Sequence, residues 1–135
     1  KVKNFANKNN LKVNLNENIN HSKLMDLYED YMFFVMYSNY EGHPKTLIEA
    51  MSKGCIPIIL KNENNTEIID HCENGILLDS EKDSIEKWII HLIDNKKELE
   101  RLSLNAVKFV KKHYSLSNAV ITENNDYQSL VNKNK

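Results

Sequence analysis

Two glutamates, Glu41 and Glu49, stand eight positions apart around a turn and a helix start, an arrangement suited to holding a phosphorylated ligand rich in hydroxyls. Between them, Gly42 lets the backbone turn sharply and Pro44 sits where a first helical residue is welcome. The N–H groups of Lys45, Thr46 and Leu47 then have no intrahelical acceptor and lie at the positive end of the helix dipole, which favours a phosphate. Thr46 adds a hydroxyl and Lys45 a cation. Two carboxylates beside a phosphate are repelled by it, so both should face neutral hydroxyl-bearing parts of a ligand; carboxylates accept well from sugar diols. A blander reading covers Glu49. Thr46-x-x-Glu49 fits a capping box, and on a helical wheel Glu49 points away from Leu47, Ala50 and Met51, as a solvated glutamate would.

Other constellations carry less. Cys55 and Cys72 lie 17 positions apart without C-x-x-C spacing, and His71 beside them completes no common zinc pattern, so a reduced setting is the simpler reading. Ser38, Asp70 and His71 lack the G-x-S-x-G elbow of a hydrolase. No carboxylate is placed by sequence to orient His43, which reads as a loop histidine. Arg101 is the single arginine, so anion binding must rely on Lys, His or backbone N–H groups. Lys108, Lys111, Lys112 and His113 gather at a helix end, a solvated face that complements the dipole, with contact to an anionic membrane surface as a secondary reading.

The elements that must position these residues follow from patterning. All three glycines and both prolines fall between positions 42 and 75, where the tight geometry is concentrated. Upstream, residues 11–15 (LKVNL) alternate like a short strand, and His21-Ser22 can cap a helix from Lys23 to about Asp30 with Leu24, Leu27 and Tyr28 on one face. Residues 31–38 (YMFFVMYS) form an apolar run typical of a buried parallel strand. A helix from Pro44 ends with Gly54 as its C′ residue, and 55–60 (CIPIIL) is the next strand, giving a βαβ unit of the usual right hand. A polar loop over 61–65, a helical turn over 66–70, a turn at Asn74-Gly75 and a strand over 76–78 follow. Asp83 and Glu86 resemble a capping box, opening a helix with Ile85, Trp88, Ile89, Leu92 and Ile93 as its stripe. A helix from 96 to 113 buries Leu99, Leu102, Ala106, Phe109 and Val110, and a last helix is expected over 116–131. The fold class is α/β, a Rossmann-like parallel sheet with flanking helices forming one domain over 1–135. In such sheets ligands bind beyond the carboxyl ends of the strands, and the loop 39–46 is such a place.

Composition narrows the function. The 135 residues suit a single domain. With 18 basic against 19 acidic side chains, the net charge of −1 lacks the footprint of a general nucleic-acid binder. No apolar run approaches the roughly 18 residues of a membrane span and no signal-peptide pattern opens the chain, which points to a soluble, cytoplasmic protein. The 20 asparagines read as a compositional bias of the source.

Glu41 to Glu49 (EGHPKTLIE), followed by AMSKG and CIPII, resembles the E-x7-E segment of the retaining GT-B glycosyltransferases of the large group 1 family, usually near EGFPxxLLEAMAxGxPVI. Upstream HSKLMDLYEDYMFFVMYS and downstream EIIDHCENGILL are also similar to the family's pattern, over roughly positions 11 to 115. The resemblance implies that Glu41 contacts the sugar of a nucleotide-diphosphate sugar near the reacting centre. It implies that Gly42, His43 and Pro44 bring backbone amides to the same sugar. Thr46 and Leu47 would meet the pyrophosphate, and Glu49 the ribose hydroxyls; Lys45, expected on the exposed side, is a further candidate partner for the phosphates. It implies transfer with retention from a UDP- or GDP-sugar to a glycan or lipid-linked acceptor, without a metal, in surface-glycan assembly at or near the inner face of the cell membrane. His43 replaces the family's phenylalanine, Glu17 stands where a glycine is expected, and NENNTE replaces small residues after the 55–60 strand. The family's first strand of this domain, which carries an arginine and a lysine that clamp the diphosphate, has no match, nor does the N-terminal acceptor domain. The chain alone is therefore expected to be inactive. The alternatives are a non-catalytic remnant or nucleotide-binding module of the same fold, and a GT-B-like nucleotide-sugar epimerase.

Overall fold

The computed structural model describes residues 4, 6, 8–10, 12–37, 45–79 and 84–114. In chain order the elements are α1 (His21–Glu29), β1 (Phe33–Met36), α2 (Lys45–Ser52), β2 (Ile56–Leu60), α3 (Glu63–Thr66), β3 (Ile76–Leu78), α4 (Ile85–Asp94) and α5 (Lys96–His113). The three strands make a parallel sheet in the order β1-β2-β3, with Phe33 beside Ile56 and Ile58 beside Ile76. This is the Rossmann-like arrangement that the alternation of strand and helix predicts.

The central strand explains the core. Every residue of β2 is buried, and successive side chains point to opposite faces. Ile56, Ile58 and Leu60 pack with Ile76, Leu78, Leu92 of α4 and Leu102 of α5. On the other face Ile59 packs with Leu47 and Met51 of α2, Ile68, Ile69, and Ala106 and Val110 of α5. Helix α5 thus serves both faces, which is why its apolar positions recur along its whole length. A third, smaller cluster of Tyr28, Ala50 and Cys55 joins α1 to α2.

Helix α2 ends as its glycine predicts. Gly54 has φ of 89°, its N–H donates to Met51 O, and the Cys55 N–H donates to Ala50 O, the paired bonds of a Schellman motif. Gly75 is required for a different reason: a Cβ there would come within 2.5 Å of Pro57 Cγ in β2. The sole arginine is spent on structure, its guanidinium donating to Glu73 Oε2 and Cys72 O and tying the 72–74 turn to α5.

Several expectations change. Residues 12–15 are exposed, form no regular element and pair with no strand among the described residues, because alternation alone makes no strand without a neighbouring edge. Helix α1 is capped by Asn20, whose side chain accepts from the Lys23 N–H, so His21 and Ser22 belong to its first turn. The turn of helix after β2 comes earlier than expected, at 63–66, because Asn62 caps it by accepting from the Asn65 N–H. Ser84 caps α4 by accepting from the Lys87 N–H. Ile93 at the end of its stripe is exposed, because the face that meets the sheet is the one carrying Ile85, Trp88, Ile89 and Leu92. The asparagines are more than compositional bias: besides the caps at 20 and 62, Asn65 donates to Leu60 O, and Asn74 both accepts from the Asp70 N–H and donates to Ile68 O. The expected 116–131 helix, Asp83 and Ser38 lie outside the described residues.

Candidate functional site

Helix α2 starts nine residues after the carboxyl end of β1, so its N-terminus belongs to the end of the sheet where α/β proteins hold ligands. The segment expected to carry Glu41, Gly42, His43 and Pro44 lies outside the described residues. The remaining expected residues are on α2. Lys45 and Thr46 are exposed in its first turn. The side chain of Leu47 is fully buried against Ile59 and Val110, so whatever it offers a ligand comes through its backbone N–H.

Glu49 is not the solvated glutamate that the helical wheel suggests. Its side chain is only 13% exposed, and its Oε1 accepts from His21 Nε2 at 2.9 Å, with Lys45 Nζ at 3.6 Å. The reason is the neighbour: α1 lies beside α2 and covers the face that a wheel drawn for an isolated helix leaves to solvent. Thr46 stands inside the helix that begins at Lys45, so it does not cap Glu49's turn. A carboxylate near a helix N-terminus is stabilised by the dipole, and here two basic groups add to that.

Two further contacts fix this corner. Lys53, just past α2, pairs with Glu29 at the end of α1, so α1 is pinned to the α2 segment at both of its ends. Burial pushes the Tyr28 hydroxyl above its ordinary pKa, with the negative charges of Glu49 and of Cys55 in its thiolate form adding to the effect. Sequence reasoning had assigned His21 to a cap; its ring bonds a residue 28 positions away, and no local pattern announces that.

Elsewhere the weaker constellations resolve into structure. His71 Nδ1 accepts from the Leu77 N–H at 3.1 Å and its ring meets Trp88 edge-on, so it helps to hold the start of β3. Among the described residues no group of His, Cys, Asp and Glu is arranged to hold a metal ion, and no helix is long and apolar enough to cross a membrane. Lys108, Lys111, Lys112 and His113 are exposed along the end of α5.

Comparison with solved structures finds the same fold. The C-terminal domain of a glycosyl transferase group 1 family protein (LpcC) from Francisella tularensis matches with a TM-score of 0.75 and 22% identity, over 85% of this chain and 61% of that one. Sucrose-phosphate synthase from Thermosynechococcus elongatus matches with a TM-score of 0.81 and 20% identity, over 98% of this chain and 34% of that one. Anabaena HepE, solved in complex with UDP-glucose, matches with a TM-score of 0.70 and 16% identity, over 93% of this chain and 36% of that one. At these identities the likeness is one of fold, and the chain spans less than two thirds of each relative. A search of curated proteins returns no match. The model for glycosyl transferases group 1 matches residues 1–109, which cover β1, α2, β2, β3, α4 and most of α5; the chain belongs to that family.

Proposed function

We propose that this chain is the donor-binding part of a retaining glycosyltransferase, taking a UDP- or GDP-sugar and passing the sugar to a glycan or lipid-linked acceptor. The observation that carries the reading is Glu49, a nearly buried carboxylate about one turn into the helix that begins beyond the carboxyl end of the sheet. In this reading Glu49 accepts from the ribose hydroxyls, and the N–H groups at the start of α2 meet the diphosphate. Lys45, 77% exposed, can turn from Glu49 toward the phosphates as they arrive. Glu41, with the backbone of Gly42, His43 and Pro44, faces the transferred sugar. The departing diphosphate is stabilised by amide dipoles and Lys45 without a metal, as fixed donors aimed at developing charge allow.

Family membership and the UDP-glucose complex of HepE support the choice of ligand. Among the described residues no strand pairs with the outer edge of β1, and the chain covers 61% of the LpcC domain, which supports a donor domain with a further strand beside β1.

Calorimetric titration with UDP, GDP and their sugar conjugates tests this reading. One nucleotide should bind, and Glu49→Ala should weaken it about 10- to 100-fold, the loss expected for hydrogen bonds to a charged group. In a full-length enzyme, Glu41→Ala and Glu49→Ala should both depress transfer. No binding at millimolar ligand would leave only a shared fold, and transfer unchanged in both variants would remove the assigned roles.

A further inference from the structure

Resting on that reading of Glu49, we infer that His21 is a positioning residue for the sugar-donor site: from α1 it fixes the Glu49 carboxylate in the orientation that accepts from the ribose. A carboxylate can only accept when ionised, so the 2.9 Å contact requires the proton on His21 Nε2. Both basic contacts, from His21 and Lys45, fall on Oε1, and Oε2 takes none from the described residues. One oxygen is thus anchored and the other is available to a hydroxyl.

The anchor has a physical purpose. Glutamate has three rotatable bonds, and ordering such a side chain on binding costs affinity that a prior contact saves. Lys45 is a poor anchor, being on the same helix, largely exposed and at 3.6 Å. His21 is a better one, because α1 is itself held by the Lys53–Glu29 pair and by Tyr28 packed on Ala50 and Cys55. Its ring reaches Glu49 from the neighbouring helix. Its own side chain is 63% exposed, so replacing it removes the contact without opening the core.

The test uses the nucleotide's own hydroxyls. UDP and GDP are titrated into the wild-type chain, and the tighter one is compared with its 2′,3′-dideoxy form in His21→Ala and His21→Gln. His21→Ala should weaken the ribonucleotide about 3- to 10-fold while leaving the dideoxy form unchanged. His21→Gln, which can place an N–H donor near the same point, should recover most of the loss. Equal weakening of both nucleotides, or of neither, overturns the positioning role while leaving nucleotide binding in place. Failure of the wild type to bind either nucleotide overturns the donor-site reading and this inference with it.

Discussion

Ile58 of β2 and Val35 of β1 are register partners on the same face of the sheet, yet Ile58 is fully buried and Val35 is 45% exposed. The difference lies in what stands above them. Helix α4 and the first half of α5 cover β2 and β3 with Leu92 and Leu102, whereas over β1 that layer reaches only Phe33. Tyr31, Met32 and Tyr37 flank β1 in the open, Val13 and Leu15 are exposed too, and Val13 with Lys12, Asn14, Asn16 and Tyr31 lines a groove of about 580 Å³. Similar apolar residues therefore contribute very differently: the β2–β3 half holds the larger enclosed core, and among the described residues nothing covers the outer edge of β1 or the face that carries Val35. The α1–α2 corner with Glu49 sits between the two.

The largest expected effect tests that division directly. Ile58→Ala should cost about 2–5 kcal/mol in urea denaturation, as truncation of a fully enclosed isoleucine does, while Val35→Ala should cost less than half as much. Equal losses would erase the distinction between the halves. A second effect comes from overpacking: Gly75→Ala drives a methyl into the Pro57 ring and should cost about 1–3 kcal/mol, and Pro57→Ala in the same chain should return part of it. If the pair is no better than the single variant, the close approach of the 75 backbone to β2 is not what requires glycine.

The smallest effect examines the corner between the halves. Burial raises the Cys55 thiol above its ordinary pKa, and its Sγ–H donates to Tyr28 O at 3.1 Å. In the unfolded chain the thiol ionises first, at about 8.5, so the associated stability is complete below that pH and is lost as pH climbs toward the raised folded value. Urea midpoints between pH 7 and 10 should decline, and Cys55→Ala should make the decline shallower. An unchanged slope would mean that α1 opens readily from α2.

Much of this molecule could be read from local pattern. The unbroken apolar run of β2, the Gly54 stop, the limits of α5 and its inward residues all express rules that act over a few positions: strand alternation, the positive φ that glycine tolerates and helical period. The turn at Asn74-Gly75 was legible for the same reason, although the Pro57 ring that makes glycine necessary was not. The candidate site residues were named from types and spacing alone, as acidic, glycine and helix-starting residues in series; of these, Lys45, Thr46, Leu47 and Glu49 fall on α2.

Tertiary structure decided the rest. The 12–15 segment alternates correctly and still joins no strand among the described residues, because a strand is completed by a neighbour that its own residues cannot supply. Glu49 had the wheel position of a solvated side chain, and only the arrival of α1 enclosed it and put His21 on its carboxylate. Sequence fixes what each residue can donate, accept or bury within a few ångströms of its own backbone. Which distant residue receives that capacity depends on how the helices and sheet close upon one another.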